Sequence, residues 1–147
     1  MFMSVINLTC PGCSTKNRLP EQRLADKPRC GKCKRPLFVA KAATLTAANV
    51  AAMLNHNDIP VLVDCWAPWC GPCKGFAPVF EQAAADLEPK LRLAKLNTEQ
   101  QQAIAARWQI RSIPTLILFK GGKELARVSG AMPLPQLKQW LAQQGVL

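Results

Sequence analysis

Apolar and polar positions change rhythm near residue 40 of this 147-residue chain. Before that point, short apolar ends such as Leu37-Phe38-Val39 stand among Cys, Lys, Arg, Pro and Gly with little strand or helix period, so no large buried face is predicted. Beyond it, Leu45, Val50, Met53 and Leu54 fall at helical spacing behind threonine caps and predict a helix over 44–54. Val61-Leu62-Val63-Asp64-Cys65-Trp66 is short, apolar and β-branched, as a strand buried on both faces should be. A helix over about 70–87 follows, with Pro78 expected to kink it. Leu91–Leu96 reads as another strand, and Thr98-Glu99-Gln100-Gln101 has the form of a capping box opening a helix to Trp108. Thr115–Phe119 and Glu124–Val128 around Gly121-Gly122 predict a hairpin, and Pro135 suits the first turn of a last helix. This succession predicts an α/β domain in three layers, a central mixed β-sheet flanked by helices. The chain divides into a small module at 1–40 and a main domain at 41–147.

With 49% apolar residues, the length allows one core of ordinary size plus an appendage. No run of about eighteen apolar residues occurs, and Met1–Asn7 has neither a basic region nor a long apolar one, which predicts a soluble protein without a signal peptide and no membrane partner. The net charge of +10 is uneven, since residues 1–40 carry eight Lys/Arg against Glu21 and Asp26, giving +6. That surplus suits either a nucleic-acid surface or a solvated face that balances a thiolate cluster. With only Phe2 and Phe38 as aromatics in the module, a base-stacking platform is poorly supplied, so the solvated face is preferred.

Six of the seven cysteines fall into three C-x-x-C pairs, which is a motif pattern rather than a set of structural staples and points to a reducing, cytoplasmic compartment. Cys10, Cys13, Cys30 and Cys33 have the C-x2-C-x16-C-x2-C spacing of a structural zinc site. A piece of about 40 residues usually requires a metal or disulfides in place of a core, and four thiolates close a tetrahedron with no open position. One structural Zn2+ is therefore expected. Ser14 and Lys34 stand after the second cysteine of each pair, where glycine is frequent in zinc knuckles. A disulfide pair or a second dithiol relay remains the alternative, and oxidation would eject zinc, so a redox-responsive module stays open.

Trp69-Cys70-Gly71-Pro72-Cys73-Lys74 follows a predicted buried strand and opens a predicted helix. The free N–H groups and dipole of a helix N-terminus favour an anion, which makes Cys70 the expected nucleophile. Cys73, close to one turn on, is the expected resolving thiol. Gly71 adds little bulk near an incoming disulfide, and Pro72 removes one competing N–H donor. An isolated C-x-x-C could equally be a metal half-site or inert thiols.

The segment Val63–Lys74 resembles the active-site segment of the thioredoxin family, and the similarity extends over most of 43–147. With the four-cysteine module ahead of it, the whole arrangement resembles the thioredoxin 2 type. The resemblance implies the thioredoxin fold and reduction of protein disulfides. It implies that Asp64 is a buried carboxylate taking the proton of Cys73 through water, with Lys95 modulating it. In the family loop matched by Ile110–Thr115 the proline is cis, so Pro114 would face the sulfurs and Ile113 would pair main chain to main chain with an extended substrate. Trp69, Ile113, Pro114 and Gly130 would form the docking rim, with Trp66 packed below. Recharging would come from a flavin-dependent thioredoxin reductase drawing on NADPH. The chain has no Gly-rich dinucleotide fingerprint, so no nucleotide cofactor of its own is expected, and a monomer is. Cys65 reads as a small buried hydrophobe pointing away from Asp64, His56 as a surface or cap residue, and Trp108 and Trp140 as packing residues. A redox or zinc sensor, a disulfide isomerase and a nucleic-acid-binding zinc protein are the rival functions.

Overall fold

A computed structural model describes residues 4–147; Met1–Met3, and with them Phe2 and the start of the segment read for a signal, lie outside the described residues. The module contains more regular structure than its sequence predicts. Strands β1 (Val5–Thr9) and β2 (Lys16–Pro20) pair antiparallel, from Val5 opposite Pro20 to Thr9 opposite Lys16, and a 3-10 turn over Glu21–Asp26 follows. Most of these strand residues are partly or fully exposed, so the alternation that marks a strand in a sequence is weak here. The module's few buried apolar side chains, Leu8, Cys10, Cys30 and Leu37, close around Ile59 of the main domain.

The main sheet has strand order β3-β5-β4-β6-β7. Strands β3 (Ala43–Thr44), β5 (Arg92–Asn97) and β4 (Val61–Trp66) run parallel, and the hairpin β6 (Thr115–Lys120) and β7 (Lys123–Ser129) joins antiparallel. Parallel neighbours need crossovers, and the helices that supply them cover both faces. Phe76, Phe80 and Leu87 of α2 (Gly71–Leu87) pack with Leu137 and Leu141 of α4 (Leu134–Gln143) on one face. Val50, Met53 and Leu54 of α1 (Val50–Asn55) and Ile104 of α3 (Gln102–Arg107) cover the other, where Cys65 is fully buried and the tilted rings of Trp108 and Phe119 lie 5.1 Å apart. Because side chains alternate along β4, Asp64 and Trp66 point to the α2 face and Cys65 to the opposite one. Gly121 and Gly122 both have positive φ, 60° and 80°, as the two-residue turn between β6 and β7 requires. This is the expected thioredoxin fold.

Two helix starts differ from the sequence reading. The predicted helix at 44 begins only at Val50, because Asn49 accepts from the Thr46 N–H at 2.7 Å and donates to the Thr44 carbonyl at 2.9 Å, folding 44–49 into a turn. Ala43 and Thr44 become the edge strand β3 instead. Likewise, Thr98 does not cap a helix, since its hydroxyl donates to the Trp66 carbonyl at 3.0 Å. Asn97 accepts from the N–H groups of Glu99 and Gln100, and α3 starts at Gln102. In both places a short amide side chain offered the backbone a turn that competes with a helix.

The module is seated by polar contacts on the α1–β4 connection. The Thr9 N–H donates to Asn57 at 3.0 Å, the Thr9 hydroxyl to the Ala52 carbonyl at 2.7 Å, and the Asn7 N–H to Asp58 at 2.7 Å. Beneath them lies Arg92, which is 1% exposed. Its guanidinium donates to the Thr9 carbonyl at 3.3 Å, pairs with Glu88 at 3.6 Å and lies 4.2 Å from the centre of the Phe38 ring.

Candidate redox and metal centres

Cys70 is the N-cap of α2, with extended φ of −88° and ψ of 111°, and its sulfur accepts the Cys73 N–H at 3.2 Å. Pro72 in the first turn contributes no competing donor. Cys70 and Cys73 are joined as a disulfide with Cα atoms 5.2 Å apart, and Cys73 is the more buried. The peptide bond Ile113–Pro114 is cis, and the Ile113 carbonyl oxygen lies 3.8 Å from the Cys70 sulfur. Gly130 donates its N–H to the Pro114 carbonyl at 2.8 Å, so the loop and the end of β7 are tied together. Trp69 is 71% exposed and forms, with Arg111, Ser112 and Ile113, the wall of a shallow hollow beside the sulfurs. Nothing crowds Gly71.

Behind the disulfide lies a cavity of about 120 Å³ lined by Asp64, Trp66, Cys73, Glu81 and Lys95 among others. Asp64 is buried, its Oδ1 has no hydrogen-bond partner, and burial pushes its carboxyl up to about 7 against the opposing charge of Lys95. The cavity is roomy enough for a water to bridge carboxylate and thiol. Lys95 is the register partner of Asp64 across β4 and β5, while its ammonium lies 3.8 Å from Glu81.

This placement carries a stability consequence. The folded protein retains the Asp64 proton up to about pH 7, whereas the unfolded chain loses it near the ordinary 3.8. Stability therefore falls as pH rises through that window and stays lower above it. Asp64→Asn should raise unfolding stability by up to about 4 kcal/mol at pH 8 and change it little at pH 4. Urea unfolding at the two pH values checks this, and equal effects at both would refute it.

The second centre is built from two matching turns. Ser14 N–H donates to the Cys10 carbonyl and Cys10 N–H to the Thr15 carbonyl; Lys34 N–H donates to the Cys30 carbonyl and Cys30 N–H to the Arg35 carbonyl. Ser14 and Lys34 hold positive φ, 63° and 69°, at the two positions where glycine is frequent in zinc knuckles. The turns aim N–H groups of Gly12 and Lys32 at the sulfurs of Cys10 and Cys30, at 3.3 and 3.4 Å, and the Asn17 side-chain amide donates to Cys30 as well. All four sulfurs lie within 4.8 Å of one another, with Cys10–Cys33 and Cys13–Cys30 at 3.6 Å. Tetrahedral zinc with bonds of about 2.3 Å sets its sulfurs about 3.8 Å apart, so the residues fit that ion. Donors hold the Cys30 thiol down to about 5, chiefly the Cys33 N–H, while burial pushes Cys10 up to about 12.

Residues 41–143 match the family model described as Thioredoxin. The chain belongs to the thioredoxin family. A second model, a zinc ribbon described as Thioredoxin 2, N-terminal, matches residues 9–35. Thioredoxin C-3 of Corynebacterium nephridii is 43% identical over 93% of this chain and 94% of its own length. Thioredoxin 1 of Nostoc sp. is 44% identical over 70% of this chain and 96% of its own. Thioredoxin of Haemophilus influenzae is 43% identical over 65% and 90%. This thioredoxin-family protein is thus a thiol-disulfide oxidoreductase, a protein-disulfide reductase working through its Cys-Gly-Pro-Cys dithiol. Among the described residues, no helix is long and apolar enough to cross a membrane.

In this thioredoxin the structure brings Cys70, Cys73, Trp69, Gly71, Pro72, Ile113, Pro114 and Gly130 to one end of the sheet, with Asp64 and Lys95 beneath them. Cys10, Cys13, Cys30 and Cys33 form the separate cluster. The sequence pattern does not mark Glu81, Glu88, Arg92 or Asn57 as functional. Arg92 opens a strand whose Leu93, Ala94 and Leu96 are buried, and a charge beside such a run requires a partner, which was the available signal; Glu81 gave none.

Proposed function

We propose the following division of labour in the disulfide reductase. The Cys70 thiolate, held by the Cys73 N–H and the start of α2, attacks one sulfur of a substrate disulfide. A Cys70–substrate disulfide forms, and the other substrate sulfur leaves as a thiolate that takes a proton. Asp64 then accepts the Cys73 proton through water, and the Cys73 thiolate attacks the Cys70 sulfur. The second substrate thiol is released, two electrons have passed to the substrate, and the protein is left with the Cys70–Cys73 disulfide. Lys95 tunes the carboxylate. Trp69, Gly71, Pro72, Ile113, Pro114 and Gly130 line the groove in which an extended, cystine-containing protein segment lies. The observation that carries this reading is the unpartnered buried carboxyl of Asp64 opening onto the same cavity as Cys73.

The reading extends to the rest of the chain. Residues 1–40 are a zinc module and 41–147 the thioredoxin domain. Cys10, Cys13, Cys30 and Cys33 hold one Zn2+, which supplies folding energy to a piece with few buried side chains. A dithiol flavoenzyme, thioredoxin reductase, returns the two electrons, and the protein works as a cytoplasmic monomer. Zinc-bound thiolates and a reducing dithiol both call for such a compartment. Native mass spectrometry should find one chain carrying one zinc ion, and the same sample should reduce insulin disulfides when coupled to thioredoxin reductase. Loss of that activity with Cys70→Ser, at unchanged zinc content, is the expected result. Full activity in Cys70→Ser would overturn the assignment.

A further inference from the structure

Asp64 does not face Lys95 alone. The cavity also receives Glu81 from the middle of α2, and this residue is held at two points. One carboxylate oxygen lies 3.8 Å from the Lys95 ammonium, and the other accepts the N–H of Ala42 at 3.3 Å. Ala42 immediately precedes β3 and lies in the segment that leaves the four-cysteine module. The Glu81 carboxylate is therefore fixed by backbone rather than free to swing. The charged or titratable groups around the cavity are Asp64 from β4, Lys95 from β5, and Cys73, Lys74 and Glu81 from α2. Within that set Lys95 has two carboxylates to choose between, one buried and one half-exposed.

We propose that Glu81 is a positioning residue of the proton relay: anchored by the Ala42 N–H, it draws the Lys95 ammonium away from Asp64 and so keeps the Asp64 carboxyl a strong enough base to take the Cys73 proton. An ammonium committed to Asp64 would stabilise the carboxylate and weaken it as a base. Shared with Glu81, it stabilises Asp64 less. Glu81 touches neither substrate nor the reacting sulfurs, and it acts through the lysine. Its anchor also places the first residues after the metal module in contact with the relay. This inference rests on the reading of Asp64 as the acceptor of the Cys73 proton.

The test uses the full-length, zinc-loaded, reduced protein labelled with carboxyl 13C-aspartate, with the Asp64 resonance assigned by its loss in Asp64→Asn. Glu81→Gln retains an oxygen for Ala42 and removes only the charge. It should move the midpoint of the Asp64 titration about half a pH unit lower, and the acid limb of single-turnover disulfide reduction should move with it. In a Lys95→Gln background the same substitution should shift the midpoint by less than half as much, because the lysine through which it acts is gone. An unmoved midpoint in Glu81→Gln overturns the proposal, and an equal shift with and without Lys95 does so too, by showing a direct effect of charge. Should Asp64→Asn leave the acid limb intact, the relay itself is wrong. Should Asp64→Asn remove the limb while Glu81→Gln leaves it in place, only the role of Glu81 falls.

Discussion

Replacing Cys73 by serine should turn a catalyst into a trap. The attacking sulfur of Cys70 retains its N-cap position and its N–H donor, because that donor belongs to the backbone of residue 73 and not to its side chain. The first exchange with a disulfide therefore proceeds, and the mixed disulfide accumulates because no second thiol is in reach. Cys65 is fully buried and its side chain lies on the far face of the sheet, so it offers no substitute. Multiple turnover should fall by about a thousandfold or more, since the two sulfurs act as a unit. Intact-mass analysis after mixing Cys73→Ser with a cystine peptide should show one peptide added per chain. Cys70→Ser should show none, and adduct formation there would mean that the nucleophile had been misassigned.

The largest stability change is expected at Arg92. Burial pushes the Glu88 carboxyl up to about 7 and holds the Arg92 guanidinium below its ordinary value. For both partners, removal from water thus outweighs the attraction of the other charge. Arg92→Ala would leave the Glu88 side chain, 3% exposed, without a counterion, and would also empty the space under Phe38 and withdraw the donor from the Thr9 carbonyl. A loss of about 3–5 kcal/mol is expected in urea unfolding at pH 8. The pair Arg92→Met with Glu88→Gln should recover most of that loss, because a flexible apolar chain fills the space and no buried charge remains. A loss below about 1 kcal/mol in the single variant would mean that the ion pair does not hold the joint.

Much of this architecture could be read from periodicity. The strand Val61–Trp66 is buried along most of its length and apolar except at Asp64, and the Cys70–Cys73 pair sits at the start of the long amphipathic helix, as the pattern of apolar positions predicts. The four-cysteine cluster was legible too from its C-x2-C-x16-C-x2-C spacing, while Ser14 and Lys34, which stand where glycine is frequent, take the positive φ of those positions all the same. The starts of α1 and α3 were not, because Asn49 and Asn97 decide them through side-chain hydrogen bonds that sequence patterns do not encode. Nor was the seating of the module. It depends on Asn57, Asp58 and Arg92, which are polar residues whose partners lie between 48 and 83 positions away in the chain. Glu81 shows the same limit at the cavity: its two partners, Ala42 and Lys95, meet only once β3 and β5 lie beside α2.

The cluster and the dithiol also stand at opposite ends of the same scaffold. Helix α2 starts at one centre and ends beside the residues that seat the other, and its 17 residues rise about 25 Å. Sulfur exchange requires atoms in contact, so within one molecule Cys70 has no route to the four clustered thiols. Any scrambling between the two sets is an encounter between two molecules, slower on dilution, and each chain can turn over oxidised clients repeatedly without consuming its own anchor.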